Sequence, residues 1–223
     1  MPAPVVTSVR SHIDPDQALV ARCQNPDSDE FEAAFEALYH RYRDRVYSIA
    51  YRIAGTSADA MDVAQDTFSL LFRNISSFRC ESLFSTWLFK IVVNCAIDSK
   101  RQDGSSLRRH TASLQQLPGC KQPTDAEAKG PLDAAQIGEL GDHVHGKIQR
   151  LSPKFRVILV LRYLEHQSYE QLRETLGVSM GTVKSRLARA HIALQAELAG
   201  TLEPFGYRPD SAGNYSTGTE GVA

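Results

Sequence analysis

The sequence predicts an all-α protein of two small helical domains joined by a flexible linker. Apolar residues recur at helical spacings from Phe35 to Ala96 and again from Leu151 to Leu194, the signature of amphipathic helices. Nowhere does the chain alternate with the period of two that marks a half-buried strand, so no strand is expected. Between the two periodic stretches lies a long run rich in Gly, Pro, Ser and polar residues, which is uncommon inside one compact domain.

Taken in order, Phe35, Leu38, Tyr39, Tyr42, Val46, Ile49, Ala50 and Ile53 form one face of a long helix that Gly55 ends. Ser57 is placed to cap the next helix, whose first turns carry Asp59 and Asp62, where the helix dipole favours negative charge. That helix carries Met61, Val63, Ala64, Phe68, Leu71 and Phe72 and runs to about Asn74. The polar segment Ser76 to Ser82 then breaks the pattern. A third helix follows, with Ser85 as its candidate cap and Trp87, Leu88, Ile91, Val92, Cys95 and Ala96 as its buried stripe.

After Arg101 the periodicity fades, and residues 102–146 are read as a linker with a weak helical end. Ser152 and Pro153 open a helix bearing Val157, Ile158, Leu161 and Leu164. Ser168 with Gln171 makes a capping box for a short helix bearing Leu172 and Leu176. Gly177 stops it in the left-handed conformation, with Val178 packing behind. Ser179 caps a last helix from Met180 to about Leu198, whose Val183, Leu187, Ala190 and Leu194 face inward. The expected division is an acidic N-terminal segment 1–30, a helical unit 31–101, the linker 102–146, a second helical unit 147–199 and a flexible, turn-rich tail 200–223.

Composition narrows the function. With 42% hydrophobic and 23% charged residues the chain belongs with globular proteins. It has neither a bilayer-length apolar run nor a signal peptide at its start, so a cytoplasmic address without membrane insertion is expected. Cys23, Cys80, Cys95 and Cys120 show no CxxC spacing, which points to reduced thiols and not to a zinc ribbon. The net charge of -1 hides a segregation: Met1 to Glu36 holds two Arg against seven acids, Lys147 to Glu197 nine Lys and Arg against four. A basic segment in a nearly neutral chain is the footprint of a nucleic-acid module joined to a protein-binding one.

The short helix, Gly177 turn and following helix have the pattern of a DNA-reading helix-turn-helix. On the last helix Thr182, Lys184, Ser185, Arg186 and Arg189 fall outside the apolar stripe. Small residues lead, letting the backbone approach a groove, and long cations follow to grip phosphates.

The strings AFEALYHRYRDRVYSIAYRIAG, DAMDVAQDTF, FRCESLFSTWLFKIVVNCAIDSKR and LSPKFRVILVLRYLEHQSYEQLRETLGVSMGTVKSRLARA closely resemble regions 2 and 4 of extracytoplasmic-function (ECF) RNA polymerase sigma factors, of the sigma-70 family. The resemblance implies a region 2 helical bundle over 31–101, a region 4 helix-turn-helix over 147–199, and promoter-specific transcription initiation with core RNA polymerase. By resemblance Asp62, Gln65, Asp66 and Phe68 meet the beta-prime clamp coiled coil, and the beta flap is a further part of core polymerase that the chain would meet. Phe78, Arg79, Ser82, Trp87, Lys90, Asn94, Lys100 and Arg101 would hold the melted minus-10 element, although Trp87 reads as core before stacking platform and Phe78 fits either role. Thr182, Lys184, Ser185 and Arg189 would read the minus-35 element of promoter DNA, with Arg186 and Arg173 on phosphates or in structure. An anti-sigma factor is the further partner implied. No cofactor, metal, catalytic residue or small-molecule substrate is implied. The sequence departs from the family in Cys80, where Gly is common, in a long linker, and in a tail without counterpart.

Two other readings remain open at this level. A helix-turn-helix regulator would bind a palindrome unaided and use its N-terminal helices for a ligand or a dimer. An enzyme would need a site assembled from His143, His145, Asp142 and Cys120, but HxH in a polar linker presents no second ligand pair.

Overall fold

A computed structural model describes residues 14–103, 141, 143–199, 207–209 and 215–217. The helices are α1 (Gln17–Cys23), α2 (Phe31–Ala54), α3 (Ser57–Asn74), a 3-10 turn Ile75–Ser77, α4 (Phe84–Asp103), α5 (residues 143–150), α6 (Pro153–Tyr163), α7 (Tyr169–Leu176) and α8 (Met180–Leu198). Helices α1 to α4 form one bundle, and α6 to α8 a second that rests on α2 and α4.

The first bundle closes over apolar stripes set by helical spacing. Leu38, Val46, Ile49 and Ile53 of α2 meet Val63 and Leu71 of α3 and Phe84, Leu88 and Val92 of α4, all buried. Aromatic rings lock α2 to α3: Phe72 stands edge-on to Phe35 at 5.2 Å and to Phe31 at 5.5 Å, and Tyr39 to Phe68 at 4.7 Å. Gly55 ends α2 with φ at +98°, a conformation that side chains rarely adopt.

The N-terminal boundary differs from the expected one. The bundle begins well before residue 31, because α1 buries Val20 and Cys23 in the same core. Asp16, 1% exposed, anchors the arm by accepting hydrogen bonds from Arg41 and from the Tyr42 hydroxyl. A buried carboxylate needs such partners. It raises the Tyr42 phenol in its turn, after burial itself, which is the larger cause.

Two caps also differ. Thr56, not Ser57, caps α3 by accepting from the Asp59 N–H, while the Ser57 hydroxyl pairs with that of Tyr47 at 3.0 Å. Ser85 lies inside α4, and the Phe84 N–H that opens this helix is accepted by Asp14 at 2.6 Å. A cap contributed from 70 residues away leaves no local signal.

In the second bundle the expected local chemistry is present. Ser168 and Gln171 make the reciprocal capping box, Gly177 takes φ +62°, and Ser179 accepts from the Thr182 N–H. Beneath the turn the Thr175 hydroxyl donates to Gln167 Oε1 at 3.1 Å, a buried polar pair that fixes α7 to its approach. The last residues expected in the linker are helical, as α5. In the tail, where no strand was expected, Tyr207–Pro209 (β1) pairs antiparallel with Tyr215–Thr217 (β2). Tyr and Thr favour strands and Gly213-Asn214 favours a turn, but three residues a side are too few for periodicity to register.

The two bundles touch along a seam of long-range contacts. Arg45 of α2 makes two hydrogen bonds to Glu165, at 2.5 and 2.9 Å, with its guanidinium 4.9 Å from the Phe89 ring centre. The C-terminal carbonyls of α2 accept from the second bundle: Arg52 from Gln149 at 2.8 Å and Ile53 from Arg156. Arg156 also binds the carbonyls of Gln149 and Leu151, and burial pulls its guanidinium below its ordinary value. His145 stacks on Tyr51 at 4.4 Å. Residues Arg156 to Leu161 of α6 are buried without a break, so the middle of this helix is covered on every side.

Candidate nucleic-acid and polymerase interface

The recognition-helix candidates spread over the solvent side and both flanks of α8. Val183, Leu187 and Ala190 anchor α8 inward, which turns Lys184, Ser185 and Arg189 to solvent and leaves Thr182 and Arg186 half-buried. The Ser185 hydroxyl donates to the Thr182 carbonyl at 3.2 Å and the Arg189 Nε to the Ser185 carbonyl at 3.2 Å, orienting both along the helix. Arg173, on α7, is exposed beside Glu174.

The minus-10 candidates divide into three groups. Trp87, Lys90 and Asn94 come together in a groove of about 340 Å³ between α3 and α4. Arg79 is exposed and Ser82 half-buried on the loop above, away from the residues that line the groove. Phe78, by contrast, is 6% exposed and stacks on Trp87 at 4.9 Å, so it belongs to the core and not to the open surface. Trp87 is half-buried; its ring stacks on Phe78 and the residue lines the groove. Lys100 and Arg101 belong to α4, but their side chains lie outside the described residues.

Sequence reasoning missed the other wall of this groove, made by Leu70, Asn74 and Ser77. A signal was available in Leu70, an apolar residue off the Val63, Thr67, Leu71 stripe of α3 and 39% exposed. The loop bears a strained residue at the position where the family often has Gly: Cys80 is exposed with φ at +55°.

The polymerase candidates lie on two flanks of α3. Gln65 and Phe68 line a cavity of about 680 Å³ between α2 and α3, with Phe35, Tyr39, Met61 and Phe72 as its apolar lining and Arg43 and Arg73 among its charged residues. Met61 and Phe72 are 47% and 54% exposed, a cluster of large apolar side chains open to solvent. Asp62 and Asp66 face the α4 side, where partial burial and then Asp62 push the Asp66 carboxyl up. Asp66 also acts on Cys95 of α4, whose thiol is raised chiefly by burial and further by Asp66 and Asp98. The set therefore combines an apolar socket with an acidic strip.

Of the residues considered for a metal site, His145 is engaged with Tyr51 and Gln149, while Asp142 and Cys120 lie outside the described residues. Among the described residues no group of three His, Cys, Asp or Glu side chains is arranged to hold a metal ion, and no helix is long and apolar enough to cross a membrane.

Comparison with known proteins agrees with this architecture. Residues 38–106 match the family model for Sigma-70 region 2 and residues 144–194 that for Sigma-70, region 4. The ECF RNA polymerase sigma factor SigW of Bacillus subtilis is 34% identical over 167 residues, 74% of this chain and 89% of that protein. The ECF RNA polymerase sigma factor SigE of Mycolicibacterium smegmatis is 34% identical over 74% of this chain and 62% of its own length. A solved structure of CnrH in complex with the cytosolic domain of CnrY resembles the fold with a TM-score of 0.59 at 24% identity, covering 83% of this chain and 97% of that one. The chain belongs to the ECF RNA polymerase sigma factors of the sigma-70 family, which bind core RNA polymerase and direct it to promoter DNA for transcription initiation.

Proposed function

We propose that the groove between α3 and α4 receives the melted minus-10 strand while the exposed face of α8 reads the minus-35 element. The observation that carries this is the convergence of Trp87, Lys90 and Asn94 with Asn74 and Ser77 in one groove. An aromatic platform, a cation and three hydrogen-bonding side chains are what an unstacked base and its phosphate require. Thr182, Lys184, Ser185, Arg186 and Arg189 form the second reader, with the long cations on phosphates. The socket at Gln65 and Phe68 and the strip at Asp62 and Asp66 serve the polymerase clamp, apolar area giving affinity and acids giving register. The protein has no catalytic site of its own and works in the cytoplasm, where polymerase is.

Two units, 14–103 and 143–199, act as separable readers in this account. Elements at minus-10 and minus-35 are about 85 Å apart on a duplex rising 3.4 Å per base pair. The packed arrangement of the two bundles must therefore open. An anti-sigma factor is the partner expected to hold the closed form, a role supported by a structural relative of sigma type, RpoE of Bartonella quintana, solved with the anti-sigma factor NepR.

The test is to combine the purified chain with sigma-free core polymerase and sequence the transcripts from a genomic promoter library. Promoter-dependent transcripts sharing a minus-35 and minus-10 pair are the expected result. Palindrome binding without polymerase, and no transcripts with it, would replace this reading by that of a helix-turn-helix regulator.

A further inference from the structure

We propose that Asp14 and Gln24, on the N-terminal arm, are positioning residues that set the shape of the loop 78–83 and through it the minus-10 groove. The inference rests on the assignment of that groove to the minus-10 strand. It starts from how the loop is held. Between the last bond of the 3-10 turn, Phe78 N–H to the Ile75 carbonyl, and the bond from Trp87 N–H to the Leu83 carbonyl, the chain is irregular, and Cys80 within it adopts a left-handed conformation. A loop in this state needs outside partners to keep one shape.

The arm supplies them at both ends. Gln24 Nε2 donates to the Phe78 carbonyl at 2.7 Å and lies 3.9 Å from the Cys80 Sγ. Asp14 accepts from the Phe84 N–H at 2.6 Å with one oxygen and from the Asp16 N–H at 3.0 Å with the other. The arm is itself fixed, because Asp16 is buried against Arg41 and Tyr42, and Val20 and Cys23 are in the core. One rigid element thus spans the loop from its first residue to the start of α4.

The link to the groove is short. Phe78, whose carbonyl Gln24 holds, stacks on Trp87, and Trp87 lines the groove beside Lys90 and Asn94. Releasing the Phe78 carbonyl loosens the ring stacked on Trp87, and releasing Phe84 frays the first turn of α4, where Trp87 sits. Neither residue of the arm lines the groove, so the effect on DNA is indirect.

The experiment uses the full chain reconstituted with core polymerase on a consensus promoter and on promoters with single changes in the minus-10 or the minus-35 element. Gln24→Met removes the donor at similar size, Asp14→Ala removes both acceptor oxygens, and Asp14→Asn keeps one oxygen, enough for the Phe84 N–H while the Asp16 N–H loses its acceptor. Discrimination at minus-10 is expected to fall about fivefold in Gln24→Met and in Asp14→Ala, the scale of one lost hydrogen bond, and to return in Asp14→Asn. Discrimination at minus-35 and affinity for core polymerase should not move. Amide exchange on the free variants gives a readout independent of promoters: the Phe84 amide should exchange about tenfold faster in Asp14→Ala and at the wild-type rate in Asp14→Asn. Unchanged minus-10 discrimination in both loss variants, or an equal fall at minus-35, would overturn the proposal. Absence of promoter-dependent transcripts from the wild-type chain would overturn the functional reading and this role with it. Slow Phe84 exchange in Asp14→Ala would overturn the brace alone.

Discussion

The interior of the first bundle and the seam between the two bundles are built from different interactions. Inside the bundle, Leu38, Ile49, Ile53, Leu71, Phe84 and Leu88 are fully buried in one apolar cluster. At the seam apolar residues of α6 join the same core, and beside them stand an ion pair, two carbonyls of α2 accepting side-chain donors, and a ring stack. Apolar burial has no substitute in water and contributes ~25 cal/mol per Å². Hydrogen bonds to carbonyls exchange a protein partner for water at a net gain of about 1 kcal/mol each. The first bundle is therefore the more lasting unit, and the seam, where polar contacts that water can replace stand beside apolar area, is the one that a chain with two reading faces has to open.

The largest expected effect breaks the bundle. Phe84→Ala removes a fully buried ring that touches Tyr42, Phe78 and Trp87, and should lower stability by about 3–5 kcal/mol in urea unfolding. Gly55→Ala acts on both sides of the comparison. It strains a φ of +98° and puts a Cβ 2.6 Å from Gln149 Oε1, a flexible side chain that must then leave the Arg52 carbonyl. A loss of about 1–2 kcal/mol is expected, together with a looser seam.

Glu165→Ala should leave the unfolding of the first bundle unchanged and weaken only the seam, by about 1 kcal/mol because Arg45 is half exposed. Small-angle scattering would register this as a larger radius of gyration. Cys80→Gly goes the other way, stabilising by about 0.5 kcal/mol through relief of the left-handed strain, measurable as a higher unfolding midpoint.

The smallest effect depends on pH. The folded value of Asp66 is raised, by burial first and Asp62 second, so its contribution favours the fold below the unfolded carboxyl range and is lost as pH rises through the raised value. Asp66→Asn should then be more stable than the parent near neutrality, by less than about 0.5 kcal/mol, with the gap closing toward pH 4. Urea midpoints at several pH values would show this convergence.

What the sequence made legible follows the same division. The stripes of α2, α3, α4 and α8 and the Ser168, Gln171 and Gly177 signals are local, so spacing alone places them. The recognition face of α8 is what remains when Val183, Leu187 and Ala190 are turned inward. The seam was illegible because Arg45 and Glu165 are 120 residues apart and of ordinary type. Asp14 and Asp16 read as members of an acidic segment because nothing nearby says that one caps α4 and the other is buried under Tyr42. The groove was half legible: Trp87, Lys90 and Asn94 share a helix face, but Asn74 and Ser77 reach it from another element.

The separable seam is tested most directly by energy transfer between a donor on the first bundle and an acceptor on the second, in the full chain, before and after it joins core polymerase on a promoter. The account predicts high transfer in the free chain and low transfer in the complex, as the bundles part to reach two elements about 85 Å apart. High transfer persisting in a complex that initiates transcription would contradict it.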